Sequence, residues 1–128
     1  MRRVLIDTSI WIAFFRGNPI AERVLDLLDS GEIVTNDLIL AELLPSIVQR
    51  RETELHELLL SVKKVRLSVD WPGVIAMQTA NLRQGNNNLG IPDLIIAQNA
   101  IDHGLVLFEN DRHFRIMKDM FGLELLSR

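Results

Sequence analysis

Four short apolar runs, "VLI", "EIVT", "LVLF" and "LELL", are separated in this chain by longer stretches with the residue spacing of helices. Runs of this length, rich in Val, Ile and Leu with no polar alternation, read as strands buried on both faces. Parallel strands need a crossover connection, and that crossover is usually a helix. The alternation therefore predicts an α/β fold, a three-layer α/β/α arrangement with a mainly parallel central sheet. The chain has 128 residues, 48% of them apolar, enough for one core, and no linker or repeat divides it. A single domain spanning residues 1–128 is expected.

Local signals set the boundaries. Residues 3–6 form the first strand, and Thr8 or Ser9 caps the helix through "IWIAFF". Asn18 as cap, Pro19 in the first turn and Gly31 past the end frame a second helix. "NDLILAELLPSIVQRR" reads as a helix kinked at Pro45, and "ETELHELLLSVKK" as an amphipathic one. "VRLSV" alternates like an edge strand. Helices are expected again from Trp71 to about Arg83, between Pro92 and Gly104, and after the turn "ENDRHF". "RQGNNNLGIP" is the one loop-like cluster.

Composition narrows the function. No apolar run approaches the roughly 18 residues of a membrane span, and the basic start passes into "RVLIDTS" without a signal-peptide pattern. A cytoplasmic address is expected. The absence of cysteine removes disulfides, thiolate nucleophiles and thiolate metal sites together. A net charge of −3 argues at first against a polyanionic ligand. Were four acids gathered around a cation, the remainder of the chain would be slightly positive and the site's sign reversed.

Four acids stand against apolar elements: Asp7 directly after "VLI", Glu42 inside "LILAELL", Asp93 ahead of four apolar helix residues, and Asp111 just past "LVLF". In α/β sheets functional groups collect beyond the carboxyl ends of strands, which brings Asp7 and Asp111 to one edge. Carboxylates about 5 Å apart repel by roughly 3 kcal/mol per pair at an effective dielectric near 20, so some protonate or a cation sits among them. All-oxygen ligation selects hard ions such as Mg2+ or Mn2+. Taken singly, each acid has a plainer reading: Asp7 as a helix cap, Asp93 as a first-turn acid, Asp111 as a turn residue, Glu42 as the partner of an arginine.

"VLIDTSIWIAFF", "LILAELL", "GIPDLIIAQNAIDHG" and "LVLFENDRHF", in that order along nearly the whole chain, resemble the PIN-domain ribonucleases, most closely the VapC-type toxins of toxin-antitoxin pairs. The resemblance implies that Asp7, Glu42, Asp93 and Asp111 are catalytic residues holding one or two Mg2+ or Mn2+ ions. It assigns Thr8, Ser9, Asn110 and Arg112 supporting positions, with Ser9 fixing the first carboxylate. It further implies endonucleolytic RNA hydrolysis to 5′-phosphate and 3′-hydroxyl products, a cognate antitoxin protein and a homodimer. Glu109 stands where many relatives carry a small hydroxyl residue and is expected to face solvent. His113 is expected to support the turn, while Arg83 and "QGNNN" either border a substrate groove or merely connect two helices. Trp11 and Phe15 belong to the core or to a groove for a partner helix. Two alternatives remain: a PIN-fold interaction module without catalysis, and a haloacid dehalogenase-type phosphatase, which wants a second aspartate where this chain has Ser9.

Overall fold

In the computed structural model, which describes residues 2–126, the strands are β1 (Val4–Ile6), β2 (Ile33–Thr35), β3 (Lys63–Lys64), β4 (Val106–Phe108) and β5 (Glu124–Leu125). They form one sheet in the order β3-β2-β1-β4-β5, and every neighbouring pair is parallel. The helices are α1 (Thr8–Phe15), α2 (Arg23–Ser30), α3 (Asp37–Gln49), α4 (Thr53–Ser61), α5 (Trp71–Arg83), α6 (Ile91–Asp102) and α7 (Arg112–Phe121). A 3-10 turn, Pro19–Ala21, precedes α2, so the stretch expected as one helix from Asn18 is split. Gly31, at φ 71°, takes the left-handed conformation that ends α2 and returns the chain to β2.

β1 lies at the centre because "VLI" is apolar on both faces: Leu5 and Ile6 are fully buried, as are Leu107 and Phe108 beside them on β4. Each such side chain contributes about 1.5–3 kcal/mol by leaving water. From β1 the chain builds outward through β2 to β3, then crosses to the opposite side of β1 for β4 and β5. The reversal falls between β1 and β4, and the crevice beyond the carboxyl ends of these two strands is where such sheets take ligands.

One expected strand is absent. Residues 65–69 belong to no strand; the two-residue strand lies just before them, at Lys63–Lys64, paired with Val34 and Thr35. Beyond Val65, whose N–H reaches Thr35 O at 2.8 Å, the chain is held by side chains of α6 and of its C-cap instead of a ladder. Asn99 Nδ2 donates to Arg66 O at 3.0 Å and His103 Nε2 lies 2.8 Å from the same carbonyl. Gln98 exchanges two 3.0 Å bonds with the Asp70 backbone.

Asn36 joins this network to the sheet edge. Fully buried, it caps α3 by accepting the Ile39 N–H at 2.9 Å and donates to Asn99 Oδ1 at 2.9 Å, tying α3 to α6. Asn36→Ala removes the cap and strands a buried acceptor, for an expected loss of about 2–4 kcal/mol. Urea unfolding reads this as a lower midpoint at unchanged m-value; an unshifted midpoint would refute the cap.

Candidate metal centre

Three helix N-termini meet at the β1/β4 crevice, and each brings an acid. Asp7, one residue beyond β1, is the N-cap of α1, as its plainer reading had it, and takes the place given to Thr8 or Ser9. A residue leaving the end of a strand is still in extended conformation, which a cap requires, so Thr8 already belongs to the helix. Asp111 caps α7 and accepts the His113 N–H at 3.0 Å. Asp93 sits in the first turn of α6 behind Pro92. Helix N-termini carry partial positive charge, which eases the gathering of carboxylates there.

The tightest group comprises Asp93, Asp111 and His113, whose donor atoms lie within 4.8 Å of one another. His113 Nδ1 is 3.6 Å from Asp93 Oδ2 and 3.5 Å from Asp111 Oδ1, too long for good hydrogen bonds. That nitrogen is buried and has no hydrogen-bond partner among the described residues. Sequence reasoning gave His113 only a supporting part in the turn. The signal was its position two residues after Asp111, which a cap and the first turn of a helix bring round to the same side.

Asp7 is 5% exposed. Burial pushes its carboxyl up to about 6; hydrogen bonds from the Ser9 hydroxyl and from the Ser9 and Thr8 backbone oppose this, and the Asp93 charge reinforces it. The Ser9 hydroxyl donates to Asp7 Oδ2 at 2.7 Å and holds that carboxylate in one orientation. Burial also raises Asp93, the Asp111 charge adds to the rise, and His113 works against it. Two acids disfavoured as anions, beside an orphaned ring nitrogen, form a set that a divalent cation would satisfy.

Glu42 departs from expectation. Ile39, Leu40, Leu43 and Ile47 fill the buried side of α3, leaving Glu42 exposed on the outer arc rather than pressed against apolar surface. The Thr8 hydroxyl donates to Glu42 Oε1 at 2.9 Å and ties it to the residue next to Asp7. Thr8→Val frees Glu42. If Glu42 serves the centre, steady-state assays should show cleavage falling about three- to tenfold with thermal stability nearly unchanged; full activity would place Glu42 outside it.

Glu109 reverses another expectation. It is 5% exposed, accepts the Asp111 N–H, and has Arg115 Nε 3.7 Å away. Ile6 and Phe108 are in register, so Glu109 leaves the sheet beside Asp7, too far inside to reach solvent. A buried carboxylate needs partners, and the backbone of the turn and Arg115 supply them. Asn110 and Arg112, flanking Asp111, are exposed.

Residues 4–119 match the PIN domain family. The chain is 28% identical over 131 residues to the ribonuclease VapC11 of Mycobacterium tuberculosis, covering 97% of this chain and 98% of that protein. Among solved structures it superposes on DNA-bound VapBC from Salmonella typhimurium with TM-score 0.76, at 18% identity and 98% coverage of both chains. It superposes likewise on a toxin-antitoxin complex from Klebsiella pneumoniae, with TM-score 0.63, 23% identity and coverage of 97% and 96%. The chain belongs to the PIN domain family, and the phosphatase alternative falls with that assignment.

Proposed function

We propose that this protein is a divalent-metal-dependent endoribonuclease and the toxin of a toxin-antitoxin pair. The observation that carries the reading is the convergence of Asp7, Asp93 and Asp111, with the unpartnered His113 nitrogen, at the β1/β4 crevice of a PIN-family chain. The ribonuclease name of the Mycobacterium tuberculosis relative supports the activity.

Asp7, Glu42, Asp93 and Asp111 would hold one or two Mg2+ or Mn2+ ions, the carboxylate-rich donor set suiting hard cations. The chemistry such an ion supplies is acidification of water and neutralisation of charge at the phosphodiester, giving 5′-phosphate and 3′-hydroxyl ends. The chain's own part is positioning. Ser9 fixes the Asp7 carboxylate and the α7 cap fixes Asp111, while His113 turns its buried ring nitrogen toward Asp93 and Asp111. Burial at the sheet edge keeps bulk water from competing for Asp7.

Two features bear on a partner. The toxin-antitoxin complex among the fold relatives favours an antitoxin, and a cavity of about 170 Å3 between α1 and α3 offers a seat beside Glu42, with Ile12, Phe15 and Leu43 as apolar lining. Trp11 does not take part, being fully buried against Phe14 and Phe15. No helix among the described residues is long and apolar enough to cross a membrane.

The deciding experiment is cleavage of single-stranded RNA with Mg2+ or Mn2+, against chelator and against Asp93→Asn. Cleavage that needs the ion and Asp93 is expected. Activity that survives chelation defeats the metal reading, and no cleavage of any RNA leaves the interaction-module alternative standing.

A further inference from the structure

The connection from α5 to α6 is held rigidly at both ends and exposed in the middle. Gly85, at φ 79°, turns the chain out of α5. Asn86 N–H then donates to Asn81 O at 2.8 Å, and the Asn86 side chain reaches Met120 Sδ on α7 at 3.7 Å. At the other end Leu89 is 4% exposed, and its carbonyl accepts from Gln78 Nε2 at 2.8 Å. Between these anchors Asn87 and Asn88 are exposed, and neither side chain has a hydrogen-bond partner among the described residues.

This loop faces α7 across a cleft of about 270 Å3, whose opposite wall is Arg112, His113 and Ile116. Arg112 is exposed and forms no ion pair with any described residue, although it follows Asp111 in the chain. His113 belongs to both places: it lines the cleft and lies within 3.6 Å of Asp93 and Asp111. The cleft therefore lies next to the acids, with His113 as the shared wall.

We propose that this cleft binds the unpaired nucleotide next to the scissile phosphate, with the Asn87 and Asn88 carboxamides reading its base and Arg112 holding its phosphate. The inference rests on the ribonuclease reading and specifies how that site chooses its substrate. A carboxamide presents donors and an acceptor in one plane, the pattern needed to meet a base edge. Those edges are free in single strands and loops, where sequence-specific RNA recognition takes place. Neutral amides also add nothing to the repulsion among the acids, while Arg112 supplies a cation on the rim for the backbone. Because the loop is anchored at Asn86 and Leu89, presenting the two amides costs little ordering of the backbone on binding.

The test maps the 5′ ends released from a single-stranded RNA pool of randomised sequence in Mn2+. Wild type should show a base preference at one position flanking the cut. The Asn87→Ala/Asn88→Ala protein should lose that preference by about tenfold or more, at that position alone. Arg112→Ala should instead raise KM for all sequences evenly. Both replacements are at exposed positions and leave the fold's anchors in place. If wild type cleaves no RNA, the ribonuclease reading fails and takes the subsite with it. If wild type cleaves with no flanking preference, or the double variant keeps the wild-type profile, the subsite alone is overturned.

Discussion

Asp7→Asn should make the metal-free protein more stable at neutral pH while removing its activity on RNA. The Asp7 carboxyl titrates at about 6 in the folded chain against 3.8 when unperturbed, chiefly because it is buried. The folded state thus keeps its proton at pH values where the unfolded chain has already released one. Stability from this group is intact below pH 3.8, falls as pH rises from there to about 6, and stays lower above that. The full penalty is of order 2–3 kcal/mol. Asparagine cannot ionise and escapes it, and its amide oxygen can still accept the Ser9 hydroxyl. Thermal melts in chelator at pH near 4 and at neutral pH give the measurement: the wild-type midpoint should drop between the two by more than the variant's, by several degrees. Asp93 is shifted in the same direction and leaves a residual slope in the variant. A variant less stable than wild type at neutral pH would show that Asp7 is not a strained anion.

Divalent ions should reverse that penalty, and the reversal should depend on Asp93. With Mn2+ at about a hundred times its dissociation constant, binding only to the folded state contributes about 2.7 kcal/mol, so the neutral-pH midpoint of wild type should climb. Asp93→Asn removes one of the three donors gathered within 4.8 Å. Its midpoint should hardly respond to Mn2+, and its cleavage rate should fall by at least about a hundredfold. An undiminished thermal response in Asp93→Asn would move the ion away from the crevice. The two variants also separate roles: Asp7→Asn is diagnosed without metal, Asp93→Asn with it.

These effects share one cause, a site assembled from groups that the fold holds at some cost. Three carboxylates reach the crevice because three helices begin there, and rigid strands deliver two of them. Pre-organisation of this kind lowers stability in the empty state and returns it on ligand binding.

Where pattern reading succeeded, it did so because burial leaves a periodic trace. "VLI" and "LVLF" are apolar without alternation because β1 and β4 are covered on both faces. Glycine after α2 and proline in the first turn of α6 mark boundaries through backbone conformations available locally. The same reasoning misplaced β3. Alternation in "VRLSV" reports that Val65 faces inward and Arg66 outward, which is true, but burial does not reveal whether a neighbouring strand or the side chains of Asn99 and His103 meet the backbone.

The sequence by itself determined the layers and the alternation of elements, and it singled out Asp7, Glu42, Asp93 and Asp111 alike as charges against apolar runs, although Glu42 is exposed. It could not determine neighbours. That β1 lies beside β4, which sets Asp7 next to Glu109, follows from strand order. Glu109 buried with Arg115, Glu42 tethered through Thr8, and the asparagine loop facing Arg112 all join residues far apart in the chain. Such contacts arise only when the whole core packs, because their partners are chosen by the sheet's topology and not by local propensity.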